Sequence, residues 1–314
     1  MSETTTHDLI ILGGGPAGLA AAIYATRAGL DALTVEQGAF GGQITTTDEI
    51  DNYPGIKGVS GAELGTKMQE HAEHLGAKFA YDAISSVTRN DDGSFSLAGD
   101  DGTYEAKTLI YAAGATPRQA GFRGEDEFRG RGVSYCATCD GMFYTGKRIF
   151  IIGGGNSACE EAVFLSRFAS EVTMVVRKDH LRALSSNQRQ VEANDKITVR
   201  YLTSITSLEG EGLPTKVTFK NNETGVESTE EFEPGSFGVF VSVGHVPQVD
   251  LVRDFVDLAD DGSIIVDEHM ASKTPGLFCA GDVRHTPLRQ VLTAAADGAV
   301  AATSAALHLG ELVI

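Results

Sequence analysis

The chain has 314 residues, a length that suggests two domains, each able to bury a core. Hydrophobic residues make up 42% and charged residues 22% of the chain, values that exclude a disordered or fibrous protein. Aspartate and glutamate outnumber lysine and arginine by 43 to 25, and the resulting net charge of -18 argues against nucleic acid or an anionic membrane as a partner.

The sequence contains no segment typical of membrane insertion or secretion. No apolar stretch approaches the ~18–20 residues that span a bilayer. The start, residues 1–8, lacks the basic and apolar regions of a signal peptide. We therefore expect a cytoplasmic protein. In such a protein four cysteines point to redox or metal chemistry before structural disulfides.

The chain opens with the pattern of a βαβ unit. Residues 8–12 and 32–35 are short apolar runs typical of strands, and residues 19–28 have the alanine-rich composition of a helix. A second copy of this pattern begins with the apolar run 148–152 and continues with a helix over 159–169. Two copies predict two nucleotide-binding domains.

Both copies carry a glycine motif between strand and helix. In the first, Gly13-x-Gly15-x-x-Gly18 allows a tight turn and lets a pyrophosphate approach the N-terminus of the helix. Glu36 ends the next strand, where a carboxylate can accept hydrogen bonds from an adenosine ribose. The first copy therefore predicts a site for a nucleotide without a 2′-phosphate.

The strands between and after the two copies indicate how the domains connect. Residues 108–115 and 238–244 each form an apolar strand ending near a glycine, and Pro117 and Pro247 follow them as candidate crossings between domains. Residues 205–232 alternate apolar and polar side chains, which predicts an antiparallel meander. A strand over 276–280 and a helix over 287–309 return to the first domain, so the second domain is predicted to be an insertion.

A CxxC motif precedes the second copy. Cys136 and Cys139 can close a small disulfide ring, and this spacing commonly lowers the pKa of one thiol. Asp140 follows as a candidate general acid or base, although an aspartate in this place is more often a cap or turn residue. A zinc site would need a further Cys or His pair, and the isolated Cys159 and Cys279 are expected to be small buried hydrophobic residues. We predict no metal site.

The second glycine motif, Gly153-x-Gly155-x-x-Ala158, is followed by a basic segment. After the next strand come Arg177, Lys178 and Arg182, where the first copy has Glu36. Cations at this position can hold a 2′-phosphate, so the motif favours NADP over NAD. The alternative is a solvated basic loop.

These motifs together resemble the low-molecular-weight thioredoxin reductases, which are FAD-dependent pyridine nucleotide-disulfide oxidoreductases of class II. The resemblance covers nearly the whole chain in the family's order. It rests on six short stretches. Two of them are specific to the family: Cys-Ala-Thr-Cys-Asp-Gly at 136–141 and Gly-His-Val-Pro at 244–247. The other four are the glycine motif at 13–18, Gly-Gly-Gln at 41–43, Asn-Tyr-Pro-Gly at 52–55 and Ala-Gly-Asp at 280–282.

The resemblance implies an α/β fold with two Rossmann-like domains of the ββα type, the second inserted in the first. Residues 1–116 and 247–314 would bind FAD, residues 117–246 would bind NADPH and carry the redox-active CxxC, and the protein would be a homodimer. The residues implied to bind FAD are Gly13, Gly15, Pro16, Ala17, Gly18, Glu36, Gly41, Gly42, Gln43, Asn52, Gly114, Asp282, Arg289, Gln290 and Ala294. Those implied to bind NADPH are Gly153, Gly155, Asn156, Ser157, Ala158, Arg177, Lys178 and Arg182.

The resemblance further implies that the protein is a thioredoxin-disulfide reductase. Electrons would pass from NADPH through FAD and the Cys136–Cys139 disulfide to a thioredoxin or thioredoxin-like protein. The family usually has His-Arg-Arg where this chain has Val176-Arg177-Lys178, and an Arg-to-Lys change loses bidentate phosphate geometry. Three alternatives remain: another electron donor such as ferredoxin, a flavin dithiol oxidase that uses oxygen, and a non-catalytic redox-sensing or nucleotide-binding protein.

Overall fold

The computed structural model describes residues 4–47 and 49–312. Met1, Ser2 and Glu3, part of the segment from which a signal peptide is excluded, lie outside the described residues. The chain forms two compact units. The first combines the chain up to Thr116 with the chain from Val246 onward, and the second is the stretch Pro117–His245. Among the described residues, no helix has the length and apolar character needed to cross a membrane.

The described strands are, in chain order, β1 (Thr4–Leu12), β2 (Ala32–Glu36), β3 (Lys78–Tyr81), β4 (Ile84–Arg89), β5 (Phe95–Gly99), β6 (Thr103–Tyr111), β7 (Ala115–Pro117), β8 (Val133–Ser134), β9 (Arg148–Ile152), β10 (Glu171–Val175), β11 (Ile197–Arg200), β12 (Thr203–Glu209), β13 (Lys216–Asn221), β14 (Glu227–Glu231), β15 (Phe237–Val241), β16 (His245–Pro247), β17 (Asp257–Leu258), β18 (Ile264–Ile265) and β19 (Leu277–Cys279). The described α-helices are α1 (Pro16–Arg27), α2 (Gly61–His74), α3 (Ala137–Asp140), α4 (Asn156–Leu165), α5 (Ser185–Glu192) and α6 (Val291–Leu309). Short 3-10 turns cover Gly42–Thr46, Gly141–Tyr144, Asp250–Phe255 and Gly281–Val283.

The first unit is built on a sheet with the order β3-β2-β1-β6-β5-β4, in which β19 also pairs with β6. Strands β1, β2, β3, β6 and β19 are parallel, and β4 and β5 form an antiparallel edge. The inner part of β1 is apolar and fully buried, as expected for a parallel strand covered on both faces. Helices α1 and α6 pack closely, since a Cβ on Gly298 would collide with the carbonyl oxygen of Ala17.

The second unit contains a five-stranded parallel sheet with the order β11-β10-β9-β15-β8. Strand β9 has the same position in this sheet as β1 has in the first. After β1 the chain adds β2 and β3 on one side and later places β6 on the other, and after β9 it adds β10 and β11 on one side and later places β15 on the other. Ligands of open α/β sheets bind beyond the carboxyl end of such a strand. The turns after β1 and β9 are the two predicted glycine motifs.

The predicted strands and the meander are present. Helices α1 and α4 begin earlier than predicted, and α6 begins later than predicted, at Val291. Strands β12, β13 and β14 form the antiparallel meander, and the two crossing strands β7 and β16 pair with each other. Helices α1 and α4 begin directly after their glycine turns. Helix α4 ends at Leu165, four residues before the predicted end, and Ser166 is its C-cap. The Ser166 hydroxyl donates to the Val163 carbonyl oxygen at 2.8 Å.

Candidate active site

The turn after β1 is closely packed on two sides and open on the third. Gly13 has a φ of +114°, and a Cβ there would collide with the carbonyl oxygen of Ala112. A Cβ on Gly18 would collide with the carbonyl oxygen of Gly13, whereas a Cβ on Gly15 would meet nothing within 4 Å. The turn therefore leaves room at Gly15 for another molecule to approach the backbone.

Helix α1 begins at Pro16, immediately beyond this opening. Gly15 is its N-cap, and the first turn contains no acidic residue. Ala17 is buried beneath the turn. The partial positive charge of this helix N-terminus is thus directed to the space beside Gly15, where it favours an anion.

Glu36 lies at the end of β2 and is oriented by two backbone groups. Its Oε2 accepts a hydrogen bond from the Gly14 N–H at 2.7 Å, and its Oε1 accepts one from the Gly38 N–H at 2.8 Å. The carboxylate predicted to bind a ribose is therefore fixed against the glycine turn, with acceptor capacity left on each oxygen.

Gly41 and Gly42 lie against the same turn. The Gly41 N–H donates to the Gly14 carbonyl oxygen at 2.8 Å, and a Cβ on Gly42 would be 3.0 Å from the Cα of Gly15. Both have positive φ, of 105° and 61°, so a residue with a side chain would be strained there.

Two further contacts join distant segments of the predicted FAD set. The side-chain amide of Gln43 donates to the carbonyl oxygen of Ala115, the residue after Gly114. The side-chain amide of Asn52 donates to Oε1 of Gln290 at 2.9 Å. The first unit therefore brings together predicted residues that are far apart in the sequence.

The segment after β19 supplies the remaining members of this set. The Arg289 Nε donates to the Asp282 carbonyl oxygen at 3.3 Å, and its guanidinium lies 3.6 Å from the Asp261 carboxylate. Burial raises the pKa of Asp282 to about 6, with the Arg289 charge lowering it and the Asp297 charge raising it. Ala294 is buried on α6, next to the Gly281 turn.

The turn after β9 repeats the geometry of the first. A Cβ on Gly153, where φ is +150°, would collide with the carbonyl oxygen of Ser242, and a Cβ on Gly155 would meet nothing within 4 Å. Gly155 is the N-cap of α4, and the first turn of α4 has no acidic residue. This turn too offers an open backbone and a helix N-terminus to an anion.

The first turn of α4 places the other predicted members of the NADPH set. Ala158 is buried and Ser157 is exposed. The Asn156 Oδ1 accepts a hydrogen bond from the Leu184 N–H at 2.7 Å, so this side chain also fixes the segment that leads into α5.

The predicted 2′-phosphate cations lie on the turn that follows β10. Arg177, Lys178 and Arg182 are all exposed. The Arg182 N–H donates to the Gly154 carbonyl oxygen at 2.7 Å, and the Asn222 side chain donates to the Arg177 carbonyl oxygen at 3.1 Å. The basic turn is therefore attached to the glycine turn, as a site for one nucleotide requires.

Cys136 and Cys139 form a disulfide at the start of α3, with their Cα atoms 5.3 Å apart. Both residues are partly exposed. Cys136 is the N-cap of α3, and its Sγ accepts a hydrogen bond from the Cys139 N–H at 3.2 Å. Asp140 follows directly, and its charge adds to burial in raising the pKa of Tyr144 to about 12.

Two polar residues that the sequence analysis missed hold the strand before this disulfide. The hydroxyl of Ser134 accepts from the Cys136 N–H at 3.0 Å and lies 3.4 Å from the Cys136 carbonyl oxygen. The buried Glu125 accepts from the Tyr135 hydroxyl at 2.7 Å and from three backbone N–H groups in residues 120–122. Nothing in their sequence spacing indicates either role.

Glu161 was also missed. It lies partly buried on α4 and hydrogen-bonds to Ser242, beyond the end of β15. Burial raises the pKa of Glu161 to about 7, against the lowering effect of Ser242, and the charge of Glu160 raises it further. Its only sequence signal is the acidic pair at 160–161 near the glycine motif.

The two cysteines outside the CxxC motif lie in the protein interior. Cys159 and Cys279 are buried and unpaired, as predicted. Among residues 4–47 and 49–312, no group of three His, Cys, Asp or Glu side chains could hold a metal ion.

Comparisons with known proteins identify the family of the chain. The family model for pyridine nucleotide-disulphide oxidoreductases matches residues 7–298. The chain is 44% identical to the thioredoxin reductase of Peptoclostridium acidaminophilum over 304 residues, which are 95% of this chain and 96% of that protein. It is 42% identical to the thioredoxin reductase of Bacillus subtilis over 316 residues, which are 99% of this chain and 98% of that protein.

A solved structure shows the same fold. The crystal structure of thioredoxin reductase from Streptococcus pyogenes matches with a TM-score of 0.90 and 39% identity, covering 99% of this chain and 100% of that chain. These comparisons confirm the resemblance to thioredoxin reductases that the short motifs predicted, and they confirm the predicted α/β fold class.

Proposed function

The chain belongs to the pyridine nucleotide-disulphide oxidoreductase family, and on that premise we propose that it is an NADPH-dependent thioredoxin-disulfide reductase. The observation that carries the proposal is the partly exposed Cys136–Cys139 disulfide at the start of α3. The similar relatives are thioredoxin reductases. The natural acceptor is then a thioredoxin or thioredoxin-like protein.

FAD and NADPH supply the hydride and two-electron chemistry when bound, and the chain supplies two turns that fit dinucleotides. The first unit, with the Glu36 carboxylate against its glycine turn, suits the adenosine of FAD. The second unit, with Arg177, Lys178 and Arg182, suits the 2′-phosphate of NADPH. Open backbone at Gly15 and Gly155 supports both assignments.

The cysteines then carry the exchange with the partner protein. Two electrons and two protons convert the Cys136–Cys139 disulfide to two thiols. The Cys139 N–H, 3.2 Å from the Cys136 Sγ, favours a thiolate on Cys136, so this sulfur attacks the partner disulfide and releases one partner thiol. Cys139 next attacks Cys136 Sγ, which releases the second partner thiol and re-forms the internal disulfide. Asp140 holds or delivers the protons of these steps.

An exposed apolar pair beside the disulfide supports a protein substrate. Met142 and Phe143 lie in the 3-10 turn after α3, with 66% and 47% of their surface exposed. Exposed apolar side chains next to a reactive group are typical of protein recognition sites. We assign this pair to contact with thioredoxin.

The proposal includes a cytoplasmic homodimer. One disulfide and two unpaired buried cysteines fit a reducing compartment. Leu292, Val300 and Leu307 form an exposed apolar stripe on α6, which a second copy of the chain would cover. Sedimentation that gives the mass of a single chain would overturn the dimer.

The proposal is tested anaerobically with the purified flavoprotein. Equimolar NADPH should bleach the flavin faster than equimolar NADH, and a purified thioredoxin added afterwards should be reduced. A Cys136→Ser, Cys139→Ser variant should bleach but reduce no thioredoxin, while a Cys159→Ala variant should do both. Thioredoxin reduction by the double variant would overturn the assignment. If both nucleotides bleached the flavin slowly and reduced ferredoxin bleached it fast, the electron donor would be ferredoxin and not NADPH.

A further inference from the structure

Ser134 binds both peptide groups of Cys136 with a buried hydroxyl. Its Oγ accepts a hydrogen bond from the Cys136 N–H at 3.0 Å and donates one to the Cys136 carbonyl oxygen at 3.4 Å. Only 4% of Ser134 is exposed, so these contacts are shielded from water. Ser134 also pairs with the buried Phe240 of β15, which attaches it to the core of the second unit. One side chain thus restrains the residue that bears a reactive sulfur.

Tyr135 provides a second attachment, one residue before Cys136. Its hydroxyl donates to Oε1 of Glu125 at 2.7 Å. Glu125 is 3% exposed, and its carboxylate also accepts the backbone N–H groups of residues 120–122. Displacement of Glu125 would break all of these hydrogen bonds together, and buried polar networks of this kind are rigid. The chain that leads into the disulfide is therefore fixed on both residues before Cys136.

These attachments matter most when the disulfide is reduced. In the oxidised protein the covalent bond to Cys139 holds Cys136 in place. In the dithiol only the surrounding contacts do so. A dithiol that is already restrained loses less conformational entropy when the disulfide closes, so restraint favours the disulfide over the dithiol.

We propose that Ser134, and Tyr135 through Glu125, are positioning residues that keep reduced Cys136 in the conformation that closes the disulfide and so make the dithiol a stronger reductant. Closure releases two electrons and two protons, which convert the partner disulfide to two thiols. The inference rests on the proposed function, in which this dithiol reduces a partner protein.

The expected size of the effect follows from the entropy of one restrained residue. Partial release of its backbone should change the equilibrium constant between disulfide and dithiol by about threefold to tenfold. The released protein favours the dithiol, so its reduction potential becomes less negative. For a two-electron couple a tenfold change corresponds to about 30 mV.

The test measures this equilibrium in the full-length flavoprotein at constant pH. The protein is equilibrated anaerobically with mixtures of reduced and oxidised dithiothreitol, quenched in acid, unfolded and alkylated. The mass then reports the state of the Cys136–Cys139 pair, because Cys159 and Cys279 are labelled in either state. The measurement needs no thioredoxin and no turnover.

The variants are Ser134→Ala and Tyr135→Phe, each of which removes one hydroxyl. Ser166→Ala is the matched control for the first, since Ser166 is 5% exposed in the same unit and also donates to a backbone carbonyl oxygen, at 2.8 Å. Tyr104→Phe is the control for the second, since the Tyr104 hydroxyl donates to the buried Asp82 at 2.9 Å in the first unit.

Ser134→Ala and Tyr135→Phe should each shift the equilibrium about threefold to tenfold toward the dithiol, and both controls should match wild type. A wild-type constant in either variant, or an equal shift in its control, would overturn the inference and leave the reductase assignment intact. If Ser134→Ala does not fold, Tyr135→Phe decides by the same criterion. A wild-type dithiol that reduces no thioredoxin would overturn the proposed function, whatever the measured equilibrium.

Discussion

The guanidinium of Arg284 donates two hydrogen bonds to the carboxylate of Asp297, from Nε at 2.6 Å and from Nη2 at 2.7 Å. Both side chains are largely buried. Asp297 also accepts the Gly281 N–H at 3.1 Å. A carboxylate in the middle of the apolar helix α6 thus fixes the turn that presents Asp282, a proposed FAD ligand.

Asp297→Asn should destabilise the protein by about 3 kcal/mol, since breaking one side of a buried ion pair leaves the other charge uncompensated. The amide has one acceptor oxygen in place of two and directs an NH2 group to the guanidinium. Urea unfolding of the flavoprotein measures the loss. Asp250→Asn is the control, because its ion pair with Arg253 is exposed and should contribute less than about 1 kcal/mol. Equal effects of the two substitutions would contradict this account.

Glu36→Ala should weaken FAD retention by at least about tenfold. The substitution removes the acceptor of the Gly14 N–H and the Gly38 N–H, and with it the proposed ribose ligand. A hydrogen bond that a ribose hydroxyl donates to this carboxylate is worth roughly 1.5–3 kcal/mol, so a tenfold loss of FAD affinity is a lower estimate. Released flavin is measured by its fluorescence after dilution.

The matched control for Glu36 is Glu70→Ala, which removes an exposed carboxylate from α2 in the same unit. It should retain FAD as wild type does. If both variants lost FAD, the effect would be due to the change in net charge. If both retained FAD, Glu36 would not be a ligand of FAD.

The glycine turns, Glu36 and the cysteine pair can be predicted from sequence because each depends on spacing within one short segment. Gly13 and Gly18 meet each other across a single turn, and Cys136 and Cys139 lie on one turn of helix. Their chemistry needs no knowledge of the rest of the chain.

Asp297 and Glu125 could not be predicted in this way. The partner of Asp297 lies on a loop whose return to α6 is decided by tertiary packing, and Glu125 receives N–H groups that converge only because of the loop conformation. The start of α6 at Val291 was missed for a related reason. Its capping box joins Gln290 to Thr293, a pairing outside the usual Ser/Thr-x-x-Glu pattern.

The two redox cysteines should differ in acidity once reduced. In a Cys139→Ser variant the remaining Cys136 is still the N-cap of α3 and keeps the residue-139 N–H as a donor to its sulfur. In a Cys136→Ser variant the remaining Cys139 lies within α3, beyond the N-terminal position that favours a thiolate. The alkylation rate with iodoacetamide should reach half its maximum at least about one pH unit lower for Cys136. Coinciding profiles, or the reverse order, would assign the attacking thiolate to Cys139.

Glu161→Gln should stabilise the protein at pH 8 and leave its stability unchanged near pH 4. The pKa of Glu161 rises from an ordinary 4.5 to about 7, chiefly through burial. Between these values the folded chain keeps a proton that the unfolded chain has released, so the free energy of unfolding falls as the pH rises through this range. At pH 8 nearly the whole penalty is present, worth about 3 kcal/mol, and glutamine avoids it while still able to bond to Ser242.

The direction in which Glu161→Gln changes the free energy of unfolding shows whether the cost of burying the carboxylate or its favourable interactions dominate. Urea unfolding of wild type and Glu161→Gln at several pH values between 4 and 8 should give curves that meet at low pH and diverge above pH 5. Glu192→Gln, which neutralises an exposed acid on α5 in the same unit, should follow wild type throughout. If Glu161→Gln were the less stable protein at pH 8, the carboxylate would be a stabilising ion in the folded state, and its interaction with Ser242 would outweigh the cost of burying it.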